Sequence, residues 1–297
     1  MFSIITPTYN RADILVRCLP YFLEMEGIGD CQIIVVDDGS TDHTSAVVAA
    51  YQEKYPGLFL YLQQENRGPG AARNAGLKAA EKDLILFLDD DVMPDRGLIS
   101  SHLAFIDRGF DLSQGILHWH PEIASGRLSR YMERRGQQFD FNGVIDDTAL
   151  DFLYVYTANL AVPKKHILKY GGFDEKLAPK GYAFEDTGLA FKLKQAGLRL
   201  GLNRSAQAWH YHPMTEDQLV ERNHKVGYGY GVIEDKYPEI ATAMKLKRQM
   251  AMPGLQMALL YPLVLCSGLE RLIGWELFLR LRCRQAFLRG LQTYRHE

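Results

Sequence analysis

The sequence predicts an α/β fold: a mostly parallel central sheet flanked by helices, with a helical C-terminal extension. Three observations lead there. Strand-like and helix-like patterns alternate through the first hundred residues, as strand–helix–strand units do. The strand-like runs carry unbroken apolar stretches, Ile33–Val36 and Leu84–Leu88, as strands covered on both faces do. Beyond about residue 215 the pattern turns helical.

The elements follow in order. Ser3–Thr6 is a short strand run stopped by Pro7. Arg11–Glu26 has helical apolar spacing at Ile14, Leu15, Leu19, Phe22 and Leu23. Gln32–Val36 is a strand ending in Asp37-Asp38-Gly39-Ser40. Thr41–Tyr55 reads as a helix with capping residues, Ser40 or Thr41, at its start. Leu58–Gln63 is a strand, Gly70–Ala80 an Ala-rich helix, and Leu84–Leu88 a strand ending in Asp89-Asp90-Asp91. The pattern is irregular from about residue 113, with strands expected within Gln114–His118, Leu153–Val162 and Leu198–His212. Asp186–Ala196 is an amphipathic helix closed by Gly197. The expected organisation is a first half over 1–112, a second half of the same domain over 113–215, and a helical region over 216–297.

The chain has 297 residues, 47% hydrophobic and 24% charged, which suits a packed globule rather than disorder. Its net charge of −2 gives no argument for nucleic acid as a partner. Cys18, Cys31, Cys266 and Cys283 are scattered without a Cys-x-x-Cys pair, so neither a disulfide framework nor a zinc site is expected. The N-terminus reads as a strand, not a signal peptide. The nearest approach to a membrane span, Pro253–Leu269, is broken by Gln256, Pro262 and Ser267. A cytoplasmic protein is expected.

In open α/β sheets ligands bind beyond the carboxyl ends of the strands. Polar clusters follow three strands here, at Pro7–Arg11, Asp37–Asp42 and Asp89–Asp91, and should converge on one crevice. Asp89 and Asp91 are two apart, so an extended backbone sets both on one face. Their mutual repulsion is relieved by a divalent cation, and oxygen ligands suit Mg²⁺ or Mn²⁺; the alternative is a solvated acidic turn. Asp37 and Asp38 suit hydrogen bonds from a ribose or base, or the start of a helix. Arg67–Gly76 sets glycines at a loop-to-helix junction that favours anions, where Arg73 would reach a diphosphate or form a surface ion pair. Glu185 and Asp186 stand at a helix start, as caps or as a general base. His210 and His212 flank Tyr211 on one face of a strand, and a histidine there is a candidate metal ligand.

These stretches resemble the bacterial GT-A fold glycosyltransferases of glycosyltransferase family 2. The matching segments are Ile4–Arg11, Val35–Asp42, Gly70–Gly76, Leu88–Asp91 and Phe184–Asp186, in series across residues 3–188. The resemblance implies an inverting transfer of one sugar from a nucleotide diphosphate sugar, with UDP the expected nucleotide, to an acceptor hydroxyl. A hexosyl- or N-acetylhexosaminyltransferase of cell-envelope or exopolysaccharide synthesis is the expectation. Pro7, Tyr9 and Arg11 would line the nucleotide pocket. Asp38 would contact uracil or ribose, with Asp37 nearby. Arg73 would lie against the nucleotide, Asp89 against ribose, and Asp90 beside them. Asp91 would bind Mn²⁺ or Mg²⁺ with His210, and Asp186 would be the catalytic base. Trp119, Asn159, Glu185 and His212 are acceptor candidates; Trp119 and Asn159, with Tyr154 and Tyr156, are equally core candidates. The first half then holds the nucleotide sugar and the second the acceptor. The Gln-x-x-Arg-Trp motif of processive members is missing, which argues for single-sugar transfer.

Other readings fit less well. A response-regulator receiver would begin at the acidic-pair strand, whereas a strand and helix precede it here. A sugar-nucleotide pyrophosphorylase would open on a Gly-rich signature that Pro7–Asn10 lacks. A non-catalytic nucleotide-sugar-binding module would not need the acidic residues retained at each expected position. In the C-terminal region Lys245, Lys247, Arg248, Arg271, Arg280, Arg282, Arg284, Arg289 and Arg295 interleave with Trp275, Phe278, Leu279 and Phe287. Such helices either lie peripherally on an anionic membrane, at the inner face of the plasma membrane and a lipid-linked acceptor, or pack within the protein.

Overall fold

The computed structural model describes residues 1–135, 138–177, 184–248 and 273–296. Pro253–Leu269, Cys266 and Arg271 lie outside them, as do the side chains of Lys245, Lys247 and Arg248. The chain divides into two compact units, one spanning 1–180 and 185–212, the other centred on 213–297.

The first unit is built on strands β1 (Phe2–Thr8), β2 (Gln32–Asp37), β3 (Phe59–Gln63), β4 (Leu84–Leu88), β5 (Val92–Pro94), β6 (Leu112–Trp119), β7 (Asn159–Pro163) and β8 (Leu200–His210). Their order in one sheet is β3-β2-β1-β4-β7-β6-β8-β5. The sheet is mixed. β3, β2, β1 and β4 run parallel. β7 is antiparallel to both β4 and β6, and β8 is parallel to β6. Hence β2, β1, β4, β6 and β8 share one direction, and their carboxyl ends lie along one edge. Short β5 pairs antiparallel to β8.

Helices α1 (Ala12–Leu23), α2 (Thr44–Lys54), α3 (Pro69–Ala79), α4 (Leu98–Asp107), α5 (Pro121–Ala124), α6 (Arg127–Arg134), α7 (Lys164–Lys169) and α8 (Glu185–Gln195) complete this unit. Phe2, Ile4, Ile33, Val35, Leu86 and Leu88 form its core with Leu15, Leu19 and Phe22 of α1. α3 lies close on the sheet because Gly76 lacks a Cβ, which would sit 2.5 Å from Ile5 Cγ2.

Several boundaries differ from expectation for identifiable reasons. β1 runs through Pro7 to Thr8. The Thr8 carbonyl accepts from Asp38 N on the β2 side. Pro7 therefore points the other way, where pairing to β4 has ended at Ile5, and its missing N–H breaks no ladder bond. α2 starts at Thr44 without a side-chain cap from its N-cap residue, His43. Ser40 is not a cap: its Oγ accepts from Asn10 N, while Asp42 Oδ1 accepts from Thr44 N. The strand expected over Leu153–Val162 begins only at Asn159, after a 3₁₀ turn at Phe152–Tyr154 held by Asp151.

The second unit contains α9 (Glu216–Lys236), α10 (Pro238–Arg248) and α11 (Trp275–His296). Thr215 and Gln218 form a reciprocal capping box on α9. α9 and α11 meet backbone to backbone. A Cβ on Gly227 would fall 1.9 Å from Phe287 O, and one on Gly290 1.9 Å from His224 O. Leu219, Tyr230 and Ile233 are buried on α9, and Leu279, Cys283 and Phe287 on α11. Arg282 and Arg295, two of the basic residues noted above, pair with Asp217 and Glu234 of α9. Among the described residues no helix is long and apolar enough to cross a membrane.

Candidate active site

The chain leaves β4 in a turn, with Val92 N bonding back to Asp89 O at 3.2 Å. The three aspartates therefore diverge, where an extended run was expected to set Asp89 and Asp91 on one face. Asp90 turns inward and accepts from Thr8 Oγ1 at 2.7 Å. Burial pushes its carboxyl up to about 7 against the pull of Arg11. Asp89 and Asp91 enter two separate clusters.

Asp91 is buried and meets the end of β8. His212 Nδ1 lies 2.7 Å from Asp91 Oδ2, and His210 Nε2 lies 3.2 Å from Oδ1. The second contact is off the hydrogen-bond direction, so Oδ1 has no hydrogen-bond partner, and neither does His210 Nδ1. The imidazoles stack 5.5 Å apart at an interplanar angle of 3°. Burial works against ionised Asp91, but the two histidines and Arg11 hold it well below the ordinary carboxylate range. One ligand atom from each of Asp91, His210 and His212 can be chosen so that all lie within 4.8 Å of one another. A carboxylate, two imidazoles and unpartnered buried atoms fit a divalent cation. His212, expected at the acceptor, sits in this group; the His-x-His alternation was the signal for it.

The histidine segment is held from three sides. Tyr211 N donates to Asp91 O at 2.7 Å. The Arg17 guanidinium stands 4.0 Å over the Tyr211 ring and pairs with Glu122. The His120 ring meets the other part of Tyr211 edge-on. Trp119 and Phe139 lie against His210, with centroids 5.4 and 4.9 Å away. Arg17, Tyr211 and Phe139 were not singled out from the sequence.

The second cluster centres on Arg73, which is 4% exposed. Its NH1 donates to Glu185 Oε1 at 2.7 Å and its NH2 to Asp89 Oδ1 at 2.8 Å, with Phe173 beneath. Arg73, expected against the nucleotide, and Glu185, expected at the acceptor, are bound to each other, and Arg73 Nε has no hydrogen-bond partner. Burial pushes Glu185 up to about 7, while Arg73 pulls it down. Asp186 follows at the start of α8, half-buried. Its Oδ1 accepts from Thr187 N at 2.7 Å, and burial raises its carboxyl above the ordinary range. A carboxylate so raised holds a proton more strongly, as a general base requires.

At the end of β2, Asp37 is fully buried and committed to its own turn. Oδ1 accepts from Ser40 N and Oδ2 from Tyr61 OH. Asp37, expected near the nucleotide, thus has both oxygens engaged within the protein. Asp38 accepts from Gln64 Nε2, Arg67 N and Gly68 N, which ties down the loop entering α3. Pro7 is half-buried and Tyr9 is 46% exposed. Asn159, equally an acceptor or a core candidate in the sequence, takes the core place. It is fully buried, and its amide bonds His102, Ile116 O and Ala206 O inside the sheet, leaving nothing for an acceptor.

A family model described as glycosyl transferase family 2 matches residues 3–154. The chain is 26% identical over 285 residues to the uncharacterized glycosyltransferase YfnE of Bacillus subtilis, covering 80% of this chain and 71% of that protein. It is 35% identical over 107 residues to the poly(ribitol-phosphate) β-N-acetylglucosaminyltransferase TarS of Staphylococcus aureus, covering 36% of this chain and 19% of TarS. Apart from YfnE, the chain spans 54% or less of the length of the relatives next in similarity. Among solved structures, a Pyrobaculum calidifontis mannosyltransferase in complex with GDP-Man and Mn²⁺ superposes with a TM-score of 0.61 at 17% identity, covering 96% of this chain and 86% of that one. TarS residues 1–349 in complex with UDP-GlcNAc superpose with a TM-score of 0.56 at 18% identity, covering 99% and 91%. These likenesses carry the GT-A fold.

Proposed function

Since the chain belongs to glycosyltransferase family 2, we propose that it transfers a single sugar, with inversion, from a UDP-sugar to an acceptor hydroxyl, assisted by Mn²⁺ or Mg²⁺. The sugar is a hexose or N-acetylhexosamine, and the product a cell-envelope or exopolysaccharide glycan; TarS, solved with UDP-GlcNAc, supports the nucleotide, and the mannosyltransferase, solved with GDP-Man and Mn²⁺, supports the cation. In this proposal residues 1–112 hold the donor and 113–215 the acceptor. The observation that carries it is the Asp91–His210–His212 group, with its unpartnered carboxylate oxygen, at the same sheet edge as Tyr9, Asp89 and Asp186.

Asp91, His210 and His212 would hold the cation, which when bound neutralises charge on the leaving diphosphate. Pro7 and Tyr9 line the nucleotide. Asp38 shapes the nucleotide pocket by fixing the 64–68 loop. Arg73 holds Asp89 toward the ribose and, through Glu185, fixes the start of α8. Asp186 takes the acceptor proton as that oxygen attacks the anomeric carbon from the face opposite the diphosphate. Base catalysis of this kind contributes about 10²–10⁴-fold. Trp119, packed against His210, would border the sugar.

Calorimetric titration of UDP with and without Mn²⁺, on the native chain and on Asp91→Ala, tests the reading. Metal-dependent binding that is lost in the variant is expected. Metal-independent binding, or binding of GDP or TDP in preference to UDP, would refute the cation or the nucleotide assignment respectively.

A further inference from the structure

We propose that Arg11 is a latch on the cation site. Its guanidinium holds two of the three ligand side chains until a divalent cation displaces it, and the freed guanidinium then engages the donor diphosphate. The inference rests on the cation reading of Asp91, His210 and His212.

Arg11 NH1 lies 3.3 Å from Asp91 Oδ2, and NH2 lies 3.1 Å from His212 Nδ1. The same Nδ1 is 2.7 Å from the same Oδ2. This triangle is frustrated in either tautomer. An unprotonated Nδ1 accepts from Arg11 but opposes the carboxylate, and a protonated one donates to the carboxylate but opposes the guanidinium. A cation bound by these two atoms removes both conflicts. It cannot coexist with the guanidinium where it stands, because both use the same lone pairs and both are positive.

Only a side-chain rotation is needed for release. The Arg11 backbone is fixed, with its N–H donating to Thr44 Oγ1 at 3.2 Å and its carbonyl accepting from Leu15 N at 2.9 Å. The side chain is 29% exposed, and Asp91 is its one ion-pair partner among the described residues. Tyr9, two residues upstream, stands exposed beside it. A guanidinium matches a diphosphate through paired N–H groups. Cation and nucleotide binding are thereby coupled: each favours the state with Arg11 released, so each strengthens the other by the same factor.

Mn²⁺ is titrated calorimetrically into the full chain, alone and at saturating UDP, for native protein, Arg11→Gln, Arg11→Lys and Asp91→Ala, with thermal melts verifying folding. Without UDP, Arg11→Gln should bind Mn²⁺ about tenfold more tightly than the native chain, with Arg11→Lys between them. The strengthening of Mn²⁺ binding by UDP should shrink in Arg11→Gln. Unchanged or weaker Mn²⁺ binding in both Arg11 variants, or undiminished coupling to UDP, overturns the latch. Equal Mn²⁺ binding by native chain and Asp91→Ala overturns the cation reading itself, and the latch with it.

Discussion

The two acidic clusters at the sheet edge differ in what they leave unpartnered. Around Arg73, two carboxylates each receive one arm of a buried guanidinium, and what is left over is a donor, the unpartnered Nε–H. Around Asp91, the carboxylate and one of two imidazoles share a single partly exposed arginine, and what is left over is Asp91 Oδ1 and His210 Nδ1. A spare N–H suits an acceptor, whereas a spare carboxylate oxygen and imidazole nitrogen suit a cation. Neighbouring aspartates in one turn, Asp89 and Asp91, thus take unlike tasks.

The sharpest way to break this contrast is Arg73→Met. It strands Glu185 and Asp89 and should cost about 3–5 kcal/mol, read from urea denaturation midpoints. Asp91→Ala should cost less than Arg73→Met, since Arg11 can turn to solvent and no carboxylate is left buried without a partner. Comparable losses in both would show the Asp91 cluster to be structural. In Arg73→Met, stability should partly return as pH falls toward 6. Glu185 is raised above its free value, so the folded state binds the proton more tightly than the unfolded chain in that window.

A smaller effect comes from a third buried network, His102 with Ser113 and Asn159, which is satisfied without any charge. Burial lowers His102 from 6.5 to about 4. Between those values the unfolded chain binds a proton that the folded chain refuses. Stability should therefore fall as pH drops from 6.5 to 4, by about 3 kcal/mol. Denaturation midpoints at pH 7, 5.5 and 4.5 read this directly, and the slope should flatten in His102→Gln.

The smallest expected effect tests how the open cluster is held. Arg17→Ala removes the cation–π seat of Tyr211, worth about 0.5–1 kcal/mol. Mn²⁺ affinity should drop about two- to fivefold, with Arg17→Lys recovering part of it. No change in affinity would mean that the Tyr211 backbone bond to Asp91 suffices to place the histidines.

Much of this was legible in the chain itself. Apolar strands ending in polar clusters implied the sheet and its working edge, and the spacing of His210 and His212 put both on one face. Side-chain direction after a strand was not legible. Asp89–Asp91 was read as extended because the turn depends on the bond from Val92 N to Asp89 O, which no local pattern marks. Arg73 was read as reaching outward, since an arginine near a helix start ordinarily does. Its inward course depends on Glu185, 112 residues away. Asn159 read equally as a sugar contact or a core residue, and it is a bond-saturated core residue because β7 starts at it and is flanked on both sides.

The shared direction of β2, β1, β4, β6 and β8 bears on how such an enzyme diversifies. Tyr9, Arg11, Asp89, Asp91, Asp186 and His212 all lie outside the paired strand residues, so altering these side chains removes no strand pairing. A mutational library confined to residues 9–11, 64–68 and 120–125 would sample new donors and acceptors while the strands stay as they are. Selection can then act on specificity with little drag from folding.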